Sequence, residues 1–385
     1  MAGRAAAGRR LLPSIDCTSG FAMNFYLTSL AFLIAAAPVK TDVVEKKFSD
    51  GSVRQRTEVV LDDRGFEIPH GKRIRFYTDG EKAQEDTFVN GVRHGPWIEW
   101  YGNGQKSGEG TYENGHKQGT ERRYLMDGTL FVESNYDKGQ RHGLQTKWFA
   151  PDVKRLEVNY KHGLKHGRMT EWYPNGRRRF VIHYEDGLKH GRETMWFSNE
   201  QEQMRFDANY DHGRKTGVVN EWYSDGTPKL TIEYKNGARH GKSTAWYPNG
   251  NVQVEGRYKN GTQDGVWHEW FDDQTRSGDL QFDEGQFDGV QTYWHRNGQK
   301  RMELPFNRGV QEGTWNEWYE NGQLRGTGQY VNGKRHGETK YWHEDGTPAS
   351  LSMHDQGVRI GTWKAWDEDG NLTAEIEHED GIPLN

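Results

Sequence analysis

The chain has 385 residues and a net charge of −5, with 51 basic against 56 acidic side chains, so no overall field favours nucleic acid and no such partner is expected. Hydrophobic residues reach only 32 % and mean hydropathy is −1.06, which is too little aliphatic content for a conventional core. Aromatic residues at 13 % can still hold a thin sheet, and the single cysteine, Cys17, excludes a disulfide framework and a cysteine metal site.

Residues 1–40 differ from the rest. Met23 to Ala37 form an apolar run ending in small residues, with Arg4, Arg9 and Arg10 ahead of it. That is the pattern of a secretory signal, and the run is short for a stable transmembrane helix. Pro13 to Gly20 interrupt the approach, so a later start at Met23 stays open. Export to the cell envelope or periplasm is expected, with a cytoplasmic location as the alternative if the N-terminus is mis-assigned. Ser14 to Cys17 is a poor lipoprotein signal because Asp16 precedes the cysteine.

Residues 41–70 read as a degenerate capping repeat. Phe48-Ser49-Asp50-Gly51 has the turn pattern of the later units, but the strand region after it is longer.

Residues 71–385 form the repeat array. One glycine recurs thirteen times, at Gly71, Gly95, Gly119, Gly143, Gly167, Gly191, Gly217, Gly241, Gly265, Gly289, Gly313, Gly337 and Gly361. Every step is 24 residues except Gly191 to Gly217, which is 26. A fixed period of this size marks a repeat architecture. Five residues after the glycine stands an aromatic, Trp in eleven of thirteen units, and seven before it, from Phe88 to His354 in the last twelve units, stands Tyr, Phe or His. Between these columns lie runs of alternating character bounded by Asn-Gly or Asp-Gly, as in Leu230–Tyr234 and Val254–Tyr258. Those are β-hairpins. The predicted fold is all-β: an elongated, single-layer antiparallel sheet of about thirteen hairpins. The chain stops at Gly381–Asn385, just past the last loop glycine, and no appended C-terminal domain is expected.

Register is argued from Pro174 and Pro248, which sit directly before Asn-Gly. Proline cannot donate to a ladder, so a type I turn with glycine left-handed, a three-residue loop with a bulge, fits better than a two-residue turn. That register places Trp246 and Tyr258 on one face. The candidate binding surface is therefore Trp100, Tyr112, Trp148, Trp172, Tyr184, Trp222, Trp246, Tyr258, Trp270, Trp318 and Trp342. Trp97, Trp267, Trp315 and Trp363 fall on the opposite face. Hairpins stacked at about 9.6 Å each give a ribbon of roughly 120 Å. An aromatic face of that length exceeds what a monomer usually exposes, so its own curl, a second copy or a ligand should cover it.

Arg93, Lys117, Arg141, Lys165, Lys189, Lys215 and Arg239 recur two residues before the glycine. Placed in loops on one edge, they form a basic stripe that suits an anionic membrane surface or cell-wall polymer, or that serves as solvated turn residues. Gln263, Phe287 and Gln311, beside Asp264, Asp288 and Glu312, interrupt it. The histidine column (His70, His94, His142, His166, His190, His240, His336) tempts a metal reading. Copies about 10 Å apart cannot share one ion, so a structural role in the turn is expected. Glu99, Glu171, Glu221, Glu269 and Glu317 form a column read as the solvent face of a strand. Gly237–Ser243 is one residue short of a phosphate loop and lies between strands. Asp367–Asn371 lacks the glycine and glutamate of a calcium loop. No catalytic, metal or cofactor site is expected.

With Tyr330-Val331-Asn332-Gly333-Lys334-Arg335-His336-Gly337 and Gly313-Thr314-Trp315-Asn316-Glu317-Trp318-Tyr319-Glu320-Asn321-Gly322 laid out, the chain resembles the MORN-repeat family in its bacterial variant form, over roughly residues 70–381. The resemblance implies a long sheet of consecutive hairpins and roles in scaffolding, protein docking and membrane association, with antitoxin-like bacterial members. The expected function is a non-enzymatic scaffold binding a protein partner or a second copy of itself. The alternatives are a cell-envelope carbohydrate or membrane module, and an antitoxin-like protein masking a toxin.

Overall fold

The computed structural model describes residues 41–384, and the leader reading lies outside them. These residues form one open antiparallel sheet of 31 strands, from Asp42–Lys47 to Ile382–Leu384. Each strand pairs with its neighbours in sequence, as Pro228–Lys235, Ala238–Trp246, Val252–Lys259 and Thr262–Trp270 do in turn. Among the described residues there is no helix long and apolar enough to cross a membrane.

Two kinds of turn alternate along the edges. On one edge Lys235 pairs with Ala238 around Asn236-Gly237, whose φ values of 53° and 86° are those of a two-residue type I′ turn. On the other edge the Gly250 N–H donates to Tyr247 O at 2.9 Å and the Tyr247 N–H to Asn251 O at 2.8 Å, with Gly250 at φ 87°. That is the three-residue loop that Pro248 requires, with the proline at a position needing no N–H.

The predicted shared face for Trp246 and Tyr258 is not what this turn produces. Trp246 pairs with Val252, but Ala245 pairs with Val254, so Gln253 is an extra residue. This second bulge, one pair inside the loop, shifts the register by one and puts Tyr258 opposite Gly241. The same shift recurs at Trp172, Trp222 and Trp270. Tyr112, Tyr184 and Tyr258 therefore lie on the face away from Trp100, Trp172 and Trp246.

The tyrosine face carries the more buried centre. A row of side chains crosses the strands at one level: Val158, Met169, Ile182, Glu193, Ala208, Val219, Ile232, Ser243. Ala208, Val219 and Ile232 are fully buried under Phe206, Tyr210, Leu230, Tyr234 and Tyr258. Trp267 continues the row and lies over Gly256, where a Cβ would overlap its ring. A single-layer sheet thus gains its core from rings that lean across neighbouring repeats, with large residues placed over small ones.

Candidate functional site

The tryptophan face has a regular outer column. Trp100, Trp148, Trp172, Trp222, Trp246, Trp270, Trp318 and Trp342 are all half-buried. All but Trp148, whose hairpin closes through Pro151-Asp152, sit beside a three-residue loop, and several have an apolar residue opposite: Pro228 at Trp222, Val252 at Trp246, Leu324 at Trp318, Pro348 at Trp342. Elsewhere a cation lies over the ring, Arg178 at 4.7 Å from Trp196 and Arg276 at 4.7 Å from Trp270. Clefts open between successive tryptophans. One is lined by Trp342, Pro348, Leu351 and Trp366, another by Trp294, Lys300 and Trp318. Inboard of the column, cross-strand pairs such as Lys242–Glu255 and Arg192–Asp207 cover the sheet.

The basic column is not a loop edge. Lys215 and Arg239 lie in strands, and Arg239 pairs directly with Tyr234. The type I′ turn ends two residues earlier, so these side chains rise from the sheet on the tyrosine face. Each stacks on the tyrosine of the next hairpin: Arg93 on Tyr112, Lys117 on Tyr136, Arg141 on Tyr160, Lys165 on Tyr184, Lys189 on Tyr210, Lys215 on Tyr234 and Arg239 on Tyr258, at 4.9 to 5.4 Å. Where the row beneath carries an acid, the same cation neutralises it. Lys189 Nζ lies 2.7 Å from buried Glu193, Lys117 Nζ 2.8 Å from Glu121, and Arg93 3.4 Å from Asp86. Burial and then Glu193 raise the Tyr210 hydroxyl well above the usual phenol range. Burial and the bond to Glu109 push Tyr124 up to about 12.

The glutamate column also lies on this face, not toward solvent. Arg179 holds Glu171 at 2.6 Å, Arg325 holds Glu317 at 2.7 Å and Arg123 holds Glu99 at 2.6 Å. At Glu269 the residue eight further on is Ser277, and burial alone raises that carboxyl above the ordinary range.

Three members of the histidine column clasp the next hairpin. The N–H groups of Asn90, Asn114 and Asn260, each the first turn residue, donate to Nδ1 of His70, His94 and His240 at 3.4 Å. Where histidine is absent, Gln118, Asp288 and Glu312 accept the same bond at 2.8, 3.0 and 2.6 Å. Three of the departures from His-Gly thus keep the acceptor, while Ile360 has none to offer. A second clasp on the opposite edge has no counterpart in the sequence reading. Where tyrosine or histidine follows the tryptophan, it bonds a carbonyl of the next unit, as Tyr173 does with Trp196 and His343 Nε2 with Trp366, both at 3.0 Å; Phe149, Phe197 and Phe271 have no such donor. The recurring Trp-Tyr pair was its visible signal.

The sequence profile described as MORN repeat variant matches residues 69–90, 93–114, 165–186, 215–236, 239–260, 287–308, 311–332 and 359–380. No curated protein matches the chain. Among solved structures, TcdB2-TccC3 without its hypervariable C-terminal region is 11 % identical over 88 % of this chain and 21 % of that one, with a TM-score of 0.16. Complete TcdB2-TccC3 is 11 % identical over 87 % and 21 %, with a TM-score of 0.14. The Photorhabdus luminescens Tc holotoxin pore is 10 % identical over 89 % and 23 %, with a TM-score of 0.15. This chain spans about a fifth of the length of those chains, and likeness at such TM-scores carries no argument.

Proposed function

Because the chain is a MORN-repeat protein of the variant class, and so a repeat scaffold, we propose that it binds an extended segment of a partner protein along its outer tryptophan column. Repeats of this family are generally non-catalytic, and the reading is a binding one. The observation that carries it is the regular spacing of half-exposed tryptophans with clefts between them. Successive hairpins stack at about 9.6 Å. A polyproline II chain advances about 9.3 Å in three residues, one full turn, so side chains three apart project to the same side. A partner segment laid across the strands therefore meets an equivalent cleft with every third side chain. Indole walls favour proline and aliphatic side chains there. The tyrosine face suits this less well, because a cation lies over each of seven successive rings from Tyr112 to Tyr258, whereas cations lie over only some of the tryptophans, such as Trp100, Trp196, Trp270 and Trp318.

The test is a fluorescence titration of the full chain with a 15-residue polyproline peptide, which reads the tryptophans directly. The expected result is a saturable change, weakened at least about 10-fold by Trp246→Ala or Trp318→Ala and little altered by Arg239→Ala. No saturable change, or equal loss with Arg239→Ala, would overturn the reading. So would a mass that doubles with concentration while the tryptophans become protected, since a second copy would then cover the column.

A further inference from the structure

We propose that Glu185, His190 and His212, with Asp211 behind them, form a binding site for one divalent transition-metal ion of the zinc class. The site lies where two neighbouring type I′ turns meet, and it stands independently of any partner on the tryptophan column. Copies of the histidine column cannot share an ion, being a full hairpin apart. The second imidazole comes from elsewhere: His212 occupies the first turn position that asparagine fills at Asn236, Asn260 and Asn332. Its φ of 44° is close to their 52–53°, so the turn is unchanged and only the side chain differs.

Four side chains from two hairpins converge as a result. Glu185 Oε2 lies 3.4 Å from His190 Nε2, about the separation of two ligands on one tetrahedral zinc. The His190 and His212 rings are 4.8 Å apart. Ligating atoms of Glu185, His190 and His212 all lie within 4.8 Å of one another, so small side-chain rotations bring them to one ion. His190 Nδ1 accepts no turn N–H, as is also true of His166 and His336, and Asp211 Oδ1 lies 3.5 Å from it. Asp211 Oδ1 lies 2.6 Å from His212 Nδ1. It accepts that nitrogen's proton and leaves Nε2 free as donor, the arrangement that orients a metal-binding imidazole. Two imidazoles and the Glu185 carboxylate also match the borderline softness of zinc.

A second histidine pair shows what is missing elsewhere. His142 and His162 lie 5.4 Å apart in the same geometry. There Lys161 stands in place of Asp211, and Asp137, in place of Glu185, is held by Gln118 at 3.2 Å. An ammonium beside the imidazoles repels a dication.

The experiment is calorimetric titration of the full chain, stripped with chelator, with zinc chloride. One ion should bind per chain. His212→Asn, which restores the residue other turns use, and Asp211→Lys, which copies Lys161, should each weaken binding at least 10-fold. His162→Asn should change it less than 2-fold. Cobalt(II) in place of zinc should give a tetrahedral absorption band that His212→Asn abolishes. No zinc binding below millimolar concentration overturns the proposal, as does undiminished binding by folded His212→Asn, or an equal loss in His162→Asn.

Discussion

The hydroxyl of Tyr247 donates to the main-chain carbonyl of Trp270 in the next repeat, 3.0 Å away. Tyr223 with Trp246 and Tyr319 with Trp342 repeat the contact at 2.9 Å. The bond ties one three-residue loop to its neighbour outside the ladder. Tyr247→Phe removes the donor and leaves the ring in place. The expected loss is about 1 kcal/mol, read as a lower denaturant midpoint, with faster amide exchange confined to the loops at Tyr247 and Phe271. A midpoint and exchange pattern equal to the parent would show that solvent replaces this bond at no cost.

Trp267 lies on Gly256, and Trp97 and Trp315 lie in the same way on Gly110 and Gly328. The glycine has no unusual φ at these places, so its reason is space alone. Gly256→Val should destabilise by about 1–3 kcal/mol through overpacking. Trp267→Leu should cost a similar amount by leaving a void. Together they should cost clearly less than the sum, because the smaller ring site accommodates the added methyl groups. A double-mutant cycle by denaturant unfolding checks this, and strict additivity would mean that the ring and the glycine do not press on each other.

Glu269 makes the fold sensitive to pH. Burial raises its carboxyl in the folded chain, while the unfolded chain has the ordinary value. Folding therefore favours the protonated form. That contribution is present below the unfolded value and is lost as pH rises through the folded one. Its carboxylate lacks the arginine that its counterparts Glu171 and Glu317 have, so its charged form is the disfavoured one. Glu269→Gln should accordingly raise the thermal midpoint at pH 7 and have no effect near pH 3. Ser277→Arg should do the same at pH 7 by restoring the partner. A Glu269→Gln midpoint that falls at pH 7 would show that the carboxylate has a favourable partner.

Most of the architecture was legible because it rests on residues with one conformational use. Gly241 has a φ of 102° and Gly237 a φ of 86°, which other residues rarely adopt, so the glycine columns marked bulges and turns directly. Pro248 marked its own loop. The inner bulge had no such marker. Its extra residue is Gln253 in one unit and Arg179 in another, and any side chain tolerates the geometry. One unmarked residue per hairpin was enough to exchange the faces of the tyrosines. The placement of the cations followed the same error. Taken as loop residues, Arg239 and its equivalents read as a charged edge; two positions inside the turn, they stack on tyrosines. His212 was missed because the histidines were read as a column, whereas its partner His190 belongs to the preceding hairpin.

The modular construction makes the sharpest prediction about the whole array. Deleting residues 238–261 joins Gly237 to Thr262, the residue that follows the equivalent Asn260-Gly261 turn. Every remaining strand keeps its direction, and both turn types stay on their own edges. Tyr234 then faces Gln263 instead of Arg239, which removes one stacked cation. The Tyr223 hydroxyl meets the Trp270 carbonyl in place of that of Trp246. The shortened chain should fold, with the β-type circular dichroism of the parent and a somewhat lower denaturant midpoint, because repeats contact mainly their neighbours. Deleting residues 250–261 instead removes 12 residues, a single strand and parts of its turns. It reverses the direction of everything that follows and carries the clasps of Asp288 and Glu312 to the wrong edge. That variant should be aggregated or unfolded. Complete unfolding of the 24-residue deletion, or equal stability of both variants, would contradict the nearest-neighbour construction of the sheet.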